Sequence, residues 1–229
     1  MKNKVTAVIS TVLALWTVSL TAFAADSQSV KINSKNFPDR EFRSYVSDMF
    51  DTDSDGSLSK REMGNVTEIE FENYDAQSLE GIGFFTRLTD LDCSGNELSS
   101  LDLSKNTALE ELDCSVNSLT SLDISKCTKL TELDCSGNKL KELDVSKNKR
   151  LEDIDCSDNK ITSLNVSYCT ALEELKCYDN NLSSLNAEKC SRIEELDCTG
   201  NSKLKKITVS KKARIEELYT DDDVKVTKK

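Results

Sequence analysis

Aliphatic residues recur along this chain at one fixed step: Leu88, Leu109, Leu130, Leu151, Leu172 and Ile193 stand 21 residues apart. Each is followed three residues later by a second apolar residue, then by a cysteine and an asparagine. The cysteines are Cys93, Cys114, Cys135, Cys156, Cys177 and Cys198, and the asparagines Asn96, Asn117, Asn138, Asn159, Asn180 and Asn201. Polar residues fill the positions between, so apolar and polar side chains alternate as on a half-buried strand. The second half of each period reads L-x-x-L-D-(L/I/V)-S, with Leu140, Leu143 and Val145 in one copy. Such strict self-similarity predicts stacked coils that share one continuous apolar column. Val66, Ile69 and Phe71 fit the same slots one period upstream, and Ile215 opens a last copy, so the pattern predicts about eight strands. The first and last copies depart from the consensus, as coils facing water or a cap must.

The L-x-x-L-x-C-x-x-N core resembles the leucine-rich repeat family over residues 66–220. Its length and second L-x-x-L-D half are similar to the short bacterial class sometimes called IRREKO. The resemblance implies a β-rich leucine-rich repeat solenoid of the α/β horseshoe class, with a parallel sheet on its concave side. It also implies binding of other macromolecules.

Within each predicted strand, the first, fourth and sixth slots point inward, as with Leu130, Leu133 and Cys135, while the asparagine amide is placed to bond the turn backbone of neighbouring coils. The outward slots are acidic. The third reads Glu68, Asp90, Glu111, Glu132, Asp153, Glu174, Glu195 and Glu217; the fifth reads Glu70, Asp92, Asp113, Asp134, Asp155, Lys176, Asp197 and Tyr219. With the second slot included, 19 of 24 outward positions are carboxylates. Like charges opposite one another destabilise a sheet, so this face calls for cations or a basic partner. A solvated face that only keeps the chain soluble is the alternative, and Arg87, Lys129, Arg150, Arg192 and Arg214 are placed to neutralise one rim. As a docking surface, the residues that matter are Asp90, Glu111, Asp113, Glu132, Asp134, Asp153, Asp155, Glu174 and Glu195.

Nine cysteines and no histidine leave three alternatives. The six periodic cysteines occupy an inward column, and Cys127, Cys169 and Cys190 share a second column with Asn106 and Asn148. Buried thiols acting as small apolar groups fit this placement. Disulfides between adjacent coils are the second alternative, and metal or redox chemistry the third, which the lack of any C-x-x-C pair disfavours.

Residues 1–24 have the form of a secretory signal, with Lys2 and Lys4, an apolar run from Val5 to Leu20 and an Ala22-Phe23-Ala24 cleavage site. Export to the cell surface or the medium follows, with no membrane insertion after the signal is removed. Net charge is −11, and losing two lysines leaves 28 cations against 41 acids, or −13, which disfavours nucleic acid as a partner. Residues 25–65 read as a helical cap. Phe42, Tyr45, Val46, Met49 and Phe50 recur at helical spacing, and Asp51 to Glu62 match the D-x-D-x-D-G-x5-E calcium loop of the EF-hand. Asp51, Asp53 and Asp55 would supply carboxylates to calcium, Ser57 its carbonyl, Ser59 a direct or water-mediated contact and Glu62 a bidentate closure. The second helix is short, and no second hand is present to pair with the loop. Residues 221–229 read as a charged tail.

No histidine, serine elbow, phosphate loop or metalloprotease motif supports catalysis. The sequence points to a monomeric binding protein whose acidic sheet takes a basic protein, peptide or cationic surface component, with calcium stabilising the cap. The alternative is a calcium-locked spacer without a specific partner.

Overall fold

A computed structural model describes residues 29–229; the signal assigned to residues 1–24 lies outside the described residues. The elements follow in order: β1 (Val30–Lys31), α1 (Arg40–Phe50), β2 (Ser57–Leu58), α2 (Lys60–Asn65), β3 (Glu68–Glu70), β4 (Asp90–Asp92), β5 (Glu111–Asp113), β6 (Glu132–Asp134) and β7 (Asp153–Asp155). Then come β8 (Leu164–Asn165), β9 (Glu174–Lys176), β10 (Leu185–Ala187), β11 (Glu195–Asp197), β12 (Lys206–Val209), β13 (Glu217–Tyr219) and β14 (Lys225–Lys228). One strand from each period joins a parallel eight-stranded sheet, ordered β13-β11-β9-β7-β6-β5-β4-β3. The chain is thus a parallel-strand solenoid of about eight coils.

The inward columns are buried as their spacing requires. Leu88, Leu109, Leu130, Leu151, Leu172 and Ile193 are fully enclosed, as are all six periodic cysteines. All nine thiols are unbridged. Burial pushes them up, Cys127 and Cys190 to about 11, so they remain protonated and unreactive at neutral pH. The asparagine column satisfies the coil backbone. Asn117 Oδ1 accepts the Leu98 N–H at 2.9 Å, and its Nδ2 donates to the carbonyls of Cys93, Cys114 and Ser115. The same set of contacts recurs at Asn138, Asn159, Asn180 and Asn201.

The second column behaves differently. Asn106 and Asn148 donate to carbonyls of the preceding coil, but the Oδ1 of each is buried with no partner. Cys127 and Cys169 use their thiols toward the equivalent carbonyls.

Three features depart from the sequence expectations. The last coils carry a second parallel sheet, β14-β12-β10-β8, and β14 means that residues 221–229 are not a free tail. Val226 and Thr227 pair with Ile207 and Thr208, because the edge of β12 offers backbone groups that only another strand can satisfy. The final inward slot is not enclosed: Leu218 is 41% exposed, since no further coil covers it. The short β2 also has a partner, since Val30 pairs with Leu58 and Lys31 with Ser57, antiparallel. The segment before α1 therefore supplies the strand that pairs with this loop.

The cap closes the other end through aromatic contacts. Phe42 and Val46 of α1 are fully buried, and the Phe42 ring lies 5.3 Å from that of Phe71. Asp39 caps α1, accepting from the Glu41 and Phe42 N–H groups, as an N-cap aspartate should. Tyr74 takes the place that asparagine holds in later coils and stacks on Phe71 at 4.3 Å. No earlier coil offers carbonyls to an amide there, so a flat ring covers the core instead.

The turn after each main-sheet strand from β3 to β11 holds a left-handed residue. Asn73, Gly95, Gly137, Asp158, Asp179 and Gly200 suit this place, but Val116 holds φ 50° with 63% exposure. A β-branched residue there is strained by about 1–2 kcal/mol. Val116→Gly removes that strain and gives back part of it through a freer unfolded chain. The expected outcome is a net gain of about 0.5–1 kcal/mol, read as a higher urea midpoint at unchanged slope.

Candidate functional site

The main sheet sets its carboxylates in register. Cα partners run Glu68, Asp90, Glu111, Glu132, Asp153, Glu174, Glu195, Glu217 along one row, and Glu70, Asp92, Asp113, Asp134, Asp155, Lys176, Asp197, Tyr219 along the next. All nine residues expected to form a docking surface, from Asp90 to Glu195, therefore stand on one face. Neighbouring strands lie about 4.8 Å apart, close enough for the charges to oppose one another. Burial first, and then the carboxylates on adjacent strands, raise the pKa values of Glu111 and Asp153. Asp134 is raised as well, by burial more than by Asp113 and Asp155, although bonds from Ser136 pull the other way.

The two rows differ in a way the sequence did not reveal. Each fifth-slot aspartate turns Oδ1 back to the N–H two residues ahead: Asp92 to Ser94, Asp113 to Ser115, Asp134 to Ser136, Asp155 to Ser157 and Asp197 to Thr199. These bonds close the strand exit as Asx turns. The signal was available in the D-x-S and D-x-T spacing, which recurs at these five aspartates. The third-slot residues Glu111 and Glu132 have no such local duty and are exposed; they are the freer ligands. Lys176 interrupts the aspartate row. Its ammonium contacts Glu174 and lies 4.0 Å from Glu195, showing how a cation seats between adjacent strands.

The raised carboxylates predict a pH response. A group whose folded pKa is raised adds stability below its unfolded value, and that contribution is lost as pH rises through the folded value. Glu111, Asp134 and Asp153 therefore favour the fold most under mild acid. Glu62 and Asp102 act oppositely: their pKa values are lowered, so their contribution holds above the unfolded carboxylate range and is lost as pH falls through the folded values. In chelator and low salt, the melting temperature is expected to rise as pH falls from neutral toward the unfolded carboxylate range, and to fall again below about pH 4. A flat thermal profile across the upper interval contradicts the assignment.

At the cap, α1 and α2 bracket the Asp51–Glu62 loop. Asp51, Asp53 and Asp55 each place a carboxylate oxygen within 4.8 Å of the others. Two oxygens across one calcium ion are separated by about 4.8 Å, so the three acids fit a shared hard cation. Gly56 at φ 80° permits the turn, and Asp51 accepts the N–H groups of Asp55 and Gly56 at 3.1 and 3.0 Å. Glu62 stands apart from that trio. It accepts from the Thr52 N–H and hydroxyl at 2.7 and 2.6 Å, and from the Ser59 N–H at 2.9 Å. Burial pushes its carboxyl up, but the Thr52 and Ser59 bonds outweigh that and bring it down to about 2. The Ser59 hydroxyl accepts from the Glu62 N–H, completing a capping box. Ser57 lies in β2, with its N–H bonded to Asp55.

A cleft of about 790 Å³ lies elsewhere, between Lys35, Gly81, Phe84 and Lys105 near the cap. It touches neither the acidic rows nor the aspartate loop. No helix among the described residues is long and apolar enough to cross a membrane.

A family model described as Leucine Rich repeats (2 copies) matches residues 107–148 and 128–168. Internalin J of Listeria monocytogenes serotype 4b is 35% identical over 71 residues, which is 31% of this chain and 8% of that protein. The functional domain of InlJ from Listeria monocytogenes, described as including a cysteine ladder, is similar in structure, with a TM-score of 0.54 at 28% identity. That match covers 86% of this chain and 54% of the solved one, so the chain spans only about half of that domain. An internalin C2 from Listeria monocytogenes shares the fold alone, with a TM-score of 0.52 at 16% identity over 89% of this chain and 98% of that one. The chain thus carries leucine-rich repeats over residues 107–168, in a solenoid similar to that of the InlJ functional domain.

Proposed function

We propose that this leucine-rich repeat chain is an exported bacterial protein-binding module whose acidic sheet takes a basic protein, peptide or cationic surface component. The observation that carries this is the third-slot row, carboxylate on every strand from Glu68 to Glu217, with the pKa values of Glu111 and Asp153 raised by burial and by their neighbours. A surface crowded with like charge gains when cations from a partner arrive. Lys176 between Glu174 and Glu195 is the chain's own example of such a contact.

Calcium belongs to the cap. Asp51, Asp53 and Asp55 would hold it, with the Ser57 carbonyl and a water near Ser59 completing the shell. Glu62 would join only by exchanging its bonds to Thr52 and Ser59 for the ion. The bound ion would supply positive charge that offsets most of the repulsion among the three aspartates, and the residues of the loop themselves hold α1 and α2 in place. Export rests on the signal read in residues 1–24.

The test is titration of the chain with a lysine-rich peptide at increasing salt. Affinity should fall steeply with ionic strength. Glu111→Gln with Glu132→Gln and Glu195→Gln should weaken binding by about tenfold and flatten the salt dependence. Binding that survives these changes places the site elsewhere. Absence of binding favours the calcium-locked spacer, a reading supported by the fifth-slot aspartates being engaged in turns.

A further inference from the structure

One cleft carries chemistry opposite to that of the main sheet. It is lined by Thr128, Ser146, Lys147, Lys149, Arg150 and Tyr168, with a volume of about 550 Å³. These residues come from three successive coils: Lys147 and Tyr168 stand one period apart, as do Thr128 and Lys149. No acidic side chain lines the cleft, in a chain with 41 acids against 30 cations.

Two nearby cations are neutralised. Lys129 lies 4.0 Å from Glu110, and Arg192 lies 3.2 Å from Glu173. Lys147, Lys149 and Arg150 form no ion pair among the described residues. Three unpaired cations held within four positions of one turn repel one another, and an anion relieves that repulsion. Arginine adds a planar fork suited to sulfate, phosphate or carboxylate.

Tyr168 is the second anomaly. Lys105, Lys126, Lys147 and Lys189 occupy its ladder position in other coils, so an aromatic ring replaces a lysine beside the cationic cluster. The ring is 47% exposed. It presents an apolar face and a hydroxyl together, next to the hydroxyls of Thr128 and Ser146. That combination suits a sugar ring, while the three cations suit the acidic group attached to it.

We propose that this cleft binds a linear polysaccharide bearing sulfate, phosphate or carboxylate groups, laid across the coils. The acidic sheet and the net charge of −11 repel stiff, densely charged polyanions at long range. A polymer with spaced charges and sugar faces between them suffers less repulsion and uses the tyrosine as well.

The test titrates the full chain with chondroitin sulfate, neutral dextran and polyphosphate at moderate salt. Chondroitin sulfate should bind and neutral dextran should not. Lys147→Ala combined with Lys149→Ala and Arg150→Ala should weaken binding by about tenfold or more, with the melting temperature unchanged because all three side chains are exposed. Tyr168→Ser should weaken chondroitin sulfate severalfold and leave polyphosphate unaffected. The proposal is overturned if the triple variant binds as the parent does. It is equally overturned if polyphosphate matches chondroitin sulfate and Tyr168→Ser changes neither, which would mark the patch as a simple ion exchanger.

Discussion

Asn138→Ala is expected to cost about 3 kcal/mol of stability, read from urea denaturation of the whole chain. The side chain removed is 7% exposed and makes four bonds. Its Oδ1 accepts the Leu119 N–H at 2.9 Å, and its Nδ2 donates to the carbonyls of Cys114, Cys135 and Ser136 at 2.9, 3.1 and 3.1 Å. Alanine leaves one buried donor without a partner and several carbonyls less well satisfied, and each such loss costs about 1–3 kcal/mol. Contacts between coils are the source of stability in a stack, so the damage falls on two neighbours at once. Asn148→Cys provides the contrast. Its Oδ1 already lacks a partner, and cysteine serves in the same column at Cys127 and Cys169. That substitution is expected to be neutral within about 0.5 kcal/mol or stabilising. If both variants behave alike, the hydrogen-bond account of the periodic asparagines is wrong.

Calcium should raise the melting temperature of the parent chain, and chelator should reverse the shift. At a hundredfold excess over the dissociation constant, an ion that binds only the folded cap adds about 2.7 kcal/mol. Asp53→Asn is the clean variant. Asp53 is exposed and its side chain has no hydrogen bond among the described residues, so the substitution should abolish the calcium response and leave the chelated melting temperature unchanged. Glu62 is a poorer probe, because its carboxylate also holds Thr52 and Ser59. Glu62→Gln should lower the chelated melting temperature as well. A calcium response that persists in Asp53→Asn would remove the loop from consideration, and heat from several ions per chain would shift attention to the acidic rows.

Much of this could be read directly from residue order. The 21-residue step specifies which side chains face the core, because consecutive coils repeat one local geometry and the apolar columns must superpose. The same step aligns Asp90, Glu111 and Glu132, and it marks the buried place of Cys135. The grouping of the loop aspartates was legible for a similar reason: they alternate along one short segment, and that spacing brings Asp51, Asp53 and Asp55 together.

Other features depend on what a neighbouring coil presents. Lys225–Lys228 becomes a strand because the edge of β12 is open beside it, and β2 finds its partner in Val30–Lys31 only once the chain has turned back. Glu62 accepts from Thr52 and Ser59 and stays outside the aspartate cluster. Lys147, Lys149 and Arg150 remain unpaired while Lys129 and Arg192 do not, although their local sequences look alike. Short-range order sets which way a side chain points, since that follows from backbone repeat. Which partner it meets is settled across coils, where distance and competition among donors decide, and there only the folded arrangement holds the answer.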